Sequence, residues 1–140
     1  MKRHLLLVLM ALSLLSAACT YNLTQLLPQR EAVSYAEPVG DAARGDTIFH
    51  QGVNGSPPCS SCHLTAAGAY GFALGPNLAD VRERAAMRVA GLDAAAYIRQ
   101  SVLDPHAYIA PGFRDIMYPE FAAYFDEQDI ADLIAYLMSL

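Results

Sequence analysis

The pattern of apolar and polar positions divides the 140-residue chain into an apolar start, an irregular stretch and a helical remainder. After the basic residues Lys2 and Arg3, apolar residues run from Leu5 to Leu15 with a single polar interruption. At about 1.5 Å per residue, this run covers roughly half of the ~30 Å hydrocarbon core of a bilayer. A basic start followed by a short apolar run is typical of a secretory signal peptide, which we assign to residues 1–18.

Helical periodicity predicts four helices between residues 41 and 140. Asp41, Asp93 and Asp126 stand just before three of them and can each cap a helix through the side-chain carboxylate. The predicted helices cover residues 42–51, 81–90, 94–103 and 127–139. The last is the clearest, because its apolar residues recur at i, i+3, i+4 and i+7. Those residues are Ile130, Leu133, Ile134 and Leu137.

Three stretches lack any regular period. Residues 19–40 contain two prolines and predict a tether. Their many leucines and tyrosines are unusual for a free linker, so part of this stretch is expected to pack either on a partner or on its own domain. The other two stretches, 50–77 and 104–124, are rich in glycine and proline and too long for a compact domain unless something fills the space between them. A large buried cofactor would explain them.

The charge balance argues against a nucleic-acid partner. Cleavage after residue 18 leaves seven basic residues, all arginine, against fourteen acidic ones, a net charge of about −7. Phosphate binding requires clustered cations, which this chain lacks.

The pentapeptide Cys59-Ser60-Ser61-Cys62-His63 carries the clearest chemistry. C-x-x-C-H is the attachment pattern for c-type haem. Its two thiols can form thioethers to one edge of the porphyrin, and the histidine can bind the iron. A disulfide is an alternative in an oxidising compartment. A zinc site needs a second pair of ligands, and a thioredoxin-like site needs a βαβ pattern; the sequence has neither.

Further motifs make residues 41–140 resemble the class I c-type cytochromes. Gly45-Asp46-Thr47-Ile48-Phe49 resembles the first helix of that family, and Tyr136-Leu137 resembles its contact on the last helix. The resemblance implies an all-α fold around one covalently bound haem c, with the first and last helices crossing at Gly45. Gly75-Pro76-Asn77-Leu78 resembles the segment whose proline carbonyl accepts a hydrogen bond from the proximal histidine. Pro76 would then orient His63, as groups behind a metal ligand commonly do.

The second iron ligand has four candidates: Met87, His106, Met117 and Met138. The stretch from Pro111 to Met117 resembles the methionine loop of the family, which implies Met117 as the ligand and leaves His106 as the alternative. Met87 and Met138 are expected to pack structurally. The family usually has proline after this methionine, whereas this chain has Tyr118.

The sequence around Cys19 resembles a bacterial lipobox, in which the cysteine carries the lipid. It predicts a lipoprotein with residues 1–18 as signal peptide, 19–40 as lipid-anchored tether and 41–140 as cytochrome c domain. Such a protein would lie at the extracytoplasmic, periplasmic or outer, face of a bacterial cell membrane. The alternatives are cleavage that leaves a free thiol at Cys19, or no cleavage, with a longer apolar helix as the anchor.

Two protein ligands on the iron favour an electron-transfer protein over an enzyme, because they leave no open position for a substrate. The resemblance extends to small cytochrome subunits of quinol-oxidising complexes such as alternative complex III, and to carriers that supply terminal oxidases or photosynthetic reaction centres. We therefore expect a partner in the respiratory or photosynthetic membrane. The alternative functions are a haem enzyme or ligand sensor with a displaceable sixth ligand, and a structural subunit.

Overall fold

Four α-helices and three 3₁₀ turns make up the regular structure in a computed structural model that describes residues 38–69 and 73–140; no strand occurs among those residues. The helices are α1 (Ala42–Gln51), α2 (Val81–Ala85), α3 (Ala94–Leu103) and α4 (Glu127–Leu137). The 3₁₀ turns are Cys59–Ser61, Pro105–Ala107 and Phe121–Ala123. The expected signal peptide, Cys19 and the tether up to residue 37 lie outside the described residues. Within the described part of the chain, no helix has the length and apolar character needed to cross a bilayer.

Aspartate caps begin three of the four helices, as the sequence predicts. Asp41, Asp93 and Asp126 accept hydrogen bonds at 2.8–2.9 Å from first-turn amides of α1, α3 and α4. The Asp129 carboxylate in turn accepts a hydrogen bond from the Asp126 amide at 3.1 Å, which completes a capping box. These bonds satisfy amides that have no partner within the helix, so local sequence determines where each helix starts.

Helix α2 is shorter than expected, since it ends at Ala85 rather than Ala90. Only Val81 and Ala85 are buried in it, so tertiary packing supports little more than one turn. The chain then follows turns to Gly91, whose φ of +87° suits glycine. Met87 is 79% exposed, so its expected packing role is wrong.

Helices α1 and α4 cross in direct backbone contact at Gly45. A Cβ atom at this position would lie 1.9 Å from the carbonyl oxygen of Asp132, so the two helices can approach this closely only at a glycine. On either side of the crossing, Phe49 and Leu133 are almost fully buried, and the ring of Phe49 lies 5.5 Å from that of Tyr136. The crossing brings the two ends of the domain together around the core.

We expect Gly45→Ala to lower the free energy of unfolding by about 2–3 kcal/mol, because the added methyl group forces the two backbones apart. In an uncrowded helix interior the same change would stabilise by about 1 kcal/mol. Thr47→Ala, at an exposed position of α1, is the matched control and should have little effect. Denaturant unfolding monitored by circular dichroism measures both, and a Gly45→Ala variant as stable as the parent would contradict the crossing.

Ion pairs between one arginine and two buried carboxylates reinforce the crossing. The guanidinium of Arg44 on α1 hydrogen-bonds Asp129 and Asp132 on α4, whose side chains are both 1% exposed. Asp132 also accepts hydrogen bonds at 2.7 Å from the Asp41 amide and from Gln128 Nε2. Burial alone would raise the pKa of Asp132, but these hydrogen bonds and Arg44 outweigh burial and hold it below its ordinary value. The buried carboxylate is therefore ionised and fully paired.

Candidate functional site

A cavity of about 510 Å³ lies between the four helices and the long loops, within the usual range for cofactor sites of about 300–1,000 Å³. Each helix contributes apolar side chains to its wall: Phe49, Val81, Ile98, Val102, Leu133 and Leu137. The cavity also brings together the five site residues singled out in the sequence: Cys59, Cys62, His63, Pro76 and Met117. These five come from three separate stretches of the chain, which the fold places around one space.

The 3₁₀ turn Cys59–Ser61 and the two residues after it, Cys62 and His63, place two thiols and an imidazole at the cavity wall. The amides of Cys62 and His63 both donate to the Cys59 carbonyl, at 3.1 and 3.0 Å. Burial raises the pKa of the Cys59 thiol to about 11, so it stays protonated at neutral pH. In the folded chain the Cys59 thiol is therefore not a reactive thiolate.

Among the residues that the structure describes, Cys59 and Cys62 form neither a disulfide nor part of a metal site of the zinc type. Cys59 and Cys62 are unpaired. Across residues 38–69 and 73–140, no group of three or more histidine, cysteine or acidic side chains could hold a metal ion.

His63 is oriented by the loop that comes after it in the chain. Its Nδ1 lies 2.9 Å from the Pro76 carbonyl oxygen, and because a carbonyl only accepts, Nδ1 carries the proton. Burial lowers the pKa of His63, and the hydrogen bond to Pro76 offsets only part of this effect. The ring is therefore neutral at pH 7, with the lone pair of Nε2 left for a metal.

Gly75 makes the close approach to His63 possible, a role that the sequence interpretation missed. A Cβ atom at Gly75 would lie 2.3 Å from His63 Cε1, so the backbone of residue 75 lies directly against the ring. The Gly75 amide donates to the Cys62 carbonyl at 3.0 Å and so fixes the loop to the residue that follows the Cys59–Ser61 turn. A glycine directly before the orienting proline was the available signal.

Among the four candidates for a second metal ligand, Met117 alone lines the cavity. It is half-buried and packs against the core, as does Met138 farther along the chain, whereas Met87 is exposed. His106 is exposed, does not line the cavity and has its Nδ1 2.8 Å from Asp115 Oδ1. The geometry thus favours Met117 over His106.

Tyr118 lies beside Met117 on the cavity wall. Its hydroxyl is 3.1 Å from Glu120 Oε2 and 3.3 Å from the Tyr124 hydroxyl, and its ring meets that of Phe121 edge-on at 5.2 Å. The hydrogen bond with Tyr124, burial and the bond to Glu120 all raise the pKa of Tyr118, so its hydroxyl is neutral under ordinary conditions.

Several apolar side chains on the cavity wall remain 37–58% exposed: Leu74, Ile109, Phe113 and Ile116. They form an apolar rim around the opening. An apolar rim of this kind is suited to contact with a bound group or with another protein.

The family model described as Cytochrome c matches residues 42–140, which is more than half of the chain. No curated protein matches the sequence.

Proposed function

Because this chain belongs to the cytochrome c family, it carries covalently attached haem c and serves haem-based electron transfer, and we propose that Cys59 and Cys62 form the thioethers while His63 and Met117 are the axial ligands of the iron. The observation that supports this assignment is that one apolar cavity gathers all four side chains.

The residues fit haem in three respects. The cavity is apolar and large enough for a cofactor, with its two thiols side by side on one wall. The Nε2 atom of His63 is free to bind metal, because Nδ1 is committed to Pro76. Gly75 leaves room for the imidazole where any larger residue would displace it.

The proposed ligand pair suits electron transfer rather than catalysis. With one imidazole and one thioether as ligands, haem supplies a one-electron redox centre whose reduction potential the sulfur raises. The apolar cavity wall excludes water and favours the state of lower charge. His63 is held in one orientation by Pro76, and Met117 is held against the core, so both ligands can stay in place as the electron passes.

Gly75→Ala is expected to disturb His63 while leaving the fold largely intact. The added methyl group would displace the imidazole and weaken its bond to Pro76, which makes the histidine a weaker donor. The expected results are a lower yield of haem-bearing protein and a shifted reduction potential in the protein that forms. Gly55→Ala is the control, since no atom lies near its Cβ position and the cost arises only from its positive φ. Equal potentials for the Gly75→Ala variant and the parent would contradict this role.

We further propose that the domain is tethered at the extracytoplasmic face of a bacterial membrane through lipidated Cys19, after removal of residues 1–18. The lipobox-like sequence and the short apolar start support this proposal. The proposed partner is a membrane electron-transfer complex: a quinol-oxidising complex, a terminal oxidase or a reaction centre. An apolar rim on an acidic, lysine-free domain is consistent with docking by apolar contact.

Mass spectrometry of the mature protein, combined with a redox titration, tests these proposals. One haem should be found on the peptide containing Cys59 and Cys62, and a diacyl group on Cys19 as the first residue. The ferric protein should show the charge-transfer absorption of a methionine ligand, with a positive midpoint potential. A strongly negative midpoint potential without that absorption would refute Met117 as ligand. An unmodified Cys19 would refute the lipid anchor.

A further inference from the structure

The segment ahead of Met117 has little to hold it in place. Residues 111–116 are all exposed. Two turn hydrogen bonds occur in this part of the loop, from the Phe113 amide to the Ala110 carbonyl and from the Ile116 amide to the Arg114 carbonyl, both at 3.1 Å. The contact between His106 and Asp115 joins two exposed side chains and contributes little. Apart from its own packing against the core, the position of Met117 therefore depends on the residues C-terminal to it.

The next residue in the chain is Tyr118, which is attached at both its ring and its hydroxyl. The ring packs edge-on against Phe121 at 5.2 Å, and Phe121 is buried in the core. Each hydroxyl has one proton, so Tyr118 donates to Glu120 and accepts from Tyr124. A second aromatic contact, at 6.2 Å, joins the rings of Tyr118 and Tyr124.

The backbone of Tyr118 is restricted as well. Pro119 disfavours the helical region for the residue before it and limits Tyr118 to extended conformations. The class I c-type cytochromes, which residues 41–140 resemble, usually have a proline directly after the methionine, and it restricts the backbone there. In this chain the proline comes one residue later, and an anchored side chain occupies the position between them.

We propose that Tyr118 is the positioning residue that holds Met117 on the iron, a role that rests on the proposed ligation by Met117. The ring fixes residue 118 to the core through Phe121, and the hydroxyl fixes it to the turn before α4 through Glu120 and Tyr124. Because Met117 and Tyr118 share a peptide bond, these contacts restrict the backbone from which the Met117 side chain reaches the iron. Tyr118 thereby slows dissociation of the thioether without touching the iron.

The rate at which imidazole replaces Met117 in the ferric protein measures this role, because dissociation of the methionine limits that rate. Tyr118→Phe keeps the ring and removes the hydrogen bonds, and we expect exchange to become about 5-fold faster. Tyr118→Ala removes the ring contacts too, with an expected increase of about 50-fold. The charge-transfer absorption of the methionine ligand should weaken in the same order.

Tyr136→Phe is the matched control. The hydroxyl of Tyr136 also interacts with a carboxylate, that of Asp46, but Tyr136 lies on α4 rather than in the ligand loop. It should leave the exchange rate unchanged. Exchange within twofold of the parent in Tyr118→Ala, or acceleration by Tyr136→Phe equal to that by Tyr118→Phe, would overturn the proposal. If the alanine variant does not fold, Tyr118→Phe decides, and exchange at the parental rate in that variant overturns it. Failure of the Met117 assignment is distinguishable, since the methionine absorption would then be missing from the parent or would persist in Met117→Ala.

Discussion

Replacement of Met117 by alanine is expected to open one face of the iron while the haem stays attached. In the proposed ligation the thioether supplies the second axial bond, so its loss would leave a coordination position that water or an added ligand can occupy. Cyanide should then bind roughly 100-fold faster than to the parent, because no protein ligand has to dissociate first. The midpoint potential should fall, since the sulfur no longer favours ferrous iron. Stopped-flow absorption and a redox titration measure the two effects.

Two variants serve as controls for this result. Met87→Ala removes an exposed methionine outside the cavity and should change neither the binding rate nor the potential. His106→Ala removes the alternative ligand and should behave like Met87→Ala. If His106 were the ligand, the parent would lack the methionine absorption, and His106→Ala rather than Met117→Ala would open the iron to fast cyanide binding. Fast, tight cyanide binding to the untreated parent would favour the ligand sensor or haem enzyme instead.

Arg44→Met is expected to destabilise the fold strongly. It leaves two carboxylates, Asp129 and Asp132, buried without their cation. The carboxylates are buried, but the Arg44 side chain is 44% exposed and backbone amides and Gln128 still satisfy part of the cluster. We therefore expect a loss of about 2–3 kcal/mol, less than for a fully buried ion pair. The corresponding fall in Tm is roughly 10–20 °C. Arg82→Met, at an exposed position of α2, is the matched control and should change Tm little.

The same network predicts how stability depends on pH. The pKa of Asp132 is lower in the folded chain than its unfolded value of about 3.9. Its contribution is therefore complete above about pH 4 and is lost as the pH falls through the folded-state pKa. Acid unfolding of the parent should begin below about pH 4. In Arg44→Met it should begin at higher pH, because Asp132 then loses one of the groups that hold its pKa down. Identical acid transitions for the two proteins would contradict the proposed pairing.

The starts of α1, α3 and α4 could be predicted because each depends on an aspartate and the few residues after it. The end of α2 could not be predicted locally, since it depends on how far neighbouring segments cover the helix beyond Ala85. Buried Asp129 and Asp132 escaped prediction for a similar reason. Their partner Arg44 lies more than 80 positions away, and acidic residues on a helix are usually exposed.

The site was more accessible to sequence interpretation than the packing around it. The covalent and axial roles proposed for Cys59, Cys62 and His63 involve five consecutive residues, so a short motif suffices to predict them. Met117 could be singled out only by resemblance, because four candidates have side chains able to bind iron. The fold separates them by placing one of the four at the cavity wall. The role of Gly75 was missed because it consists in the absence of a Cβ atom next to the ring of His63.

The contact between α1 and α4 also determines the order in which the domain can be completed. Arg44 and Asp132 are 88 positions apart, so closing this contact requires almost the whole domain. The first helix cannot pack against its partner until the last helix is in place, and the cavity until then lacks the wall formed by Leu133 and Leu137. Cys59 and Cys62 lie in the unfinished part of the structure during this interval. In the proposed assignment, haem would reach these thiols while the chain is still open, before its two ends meet.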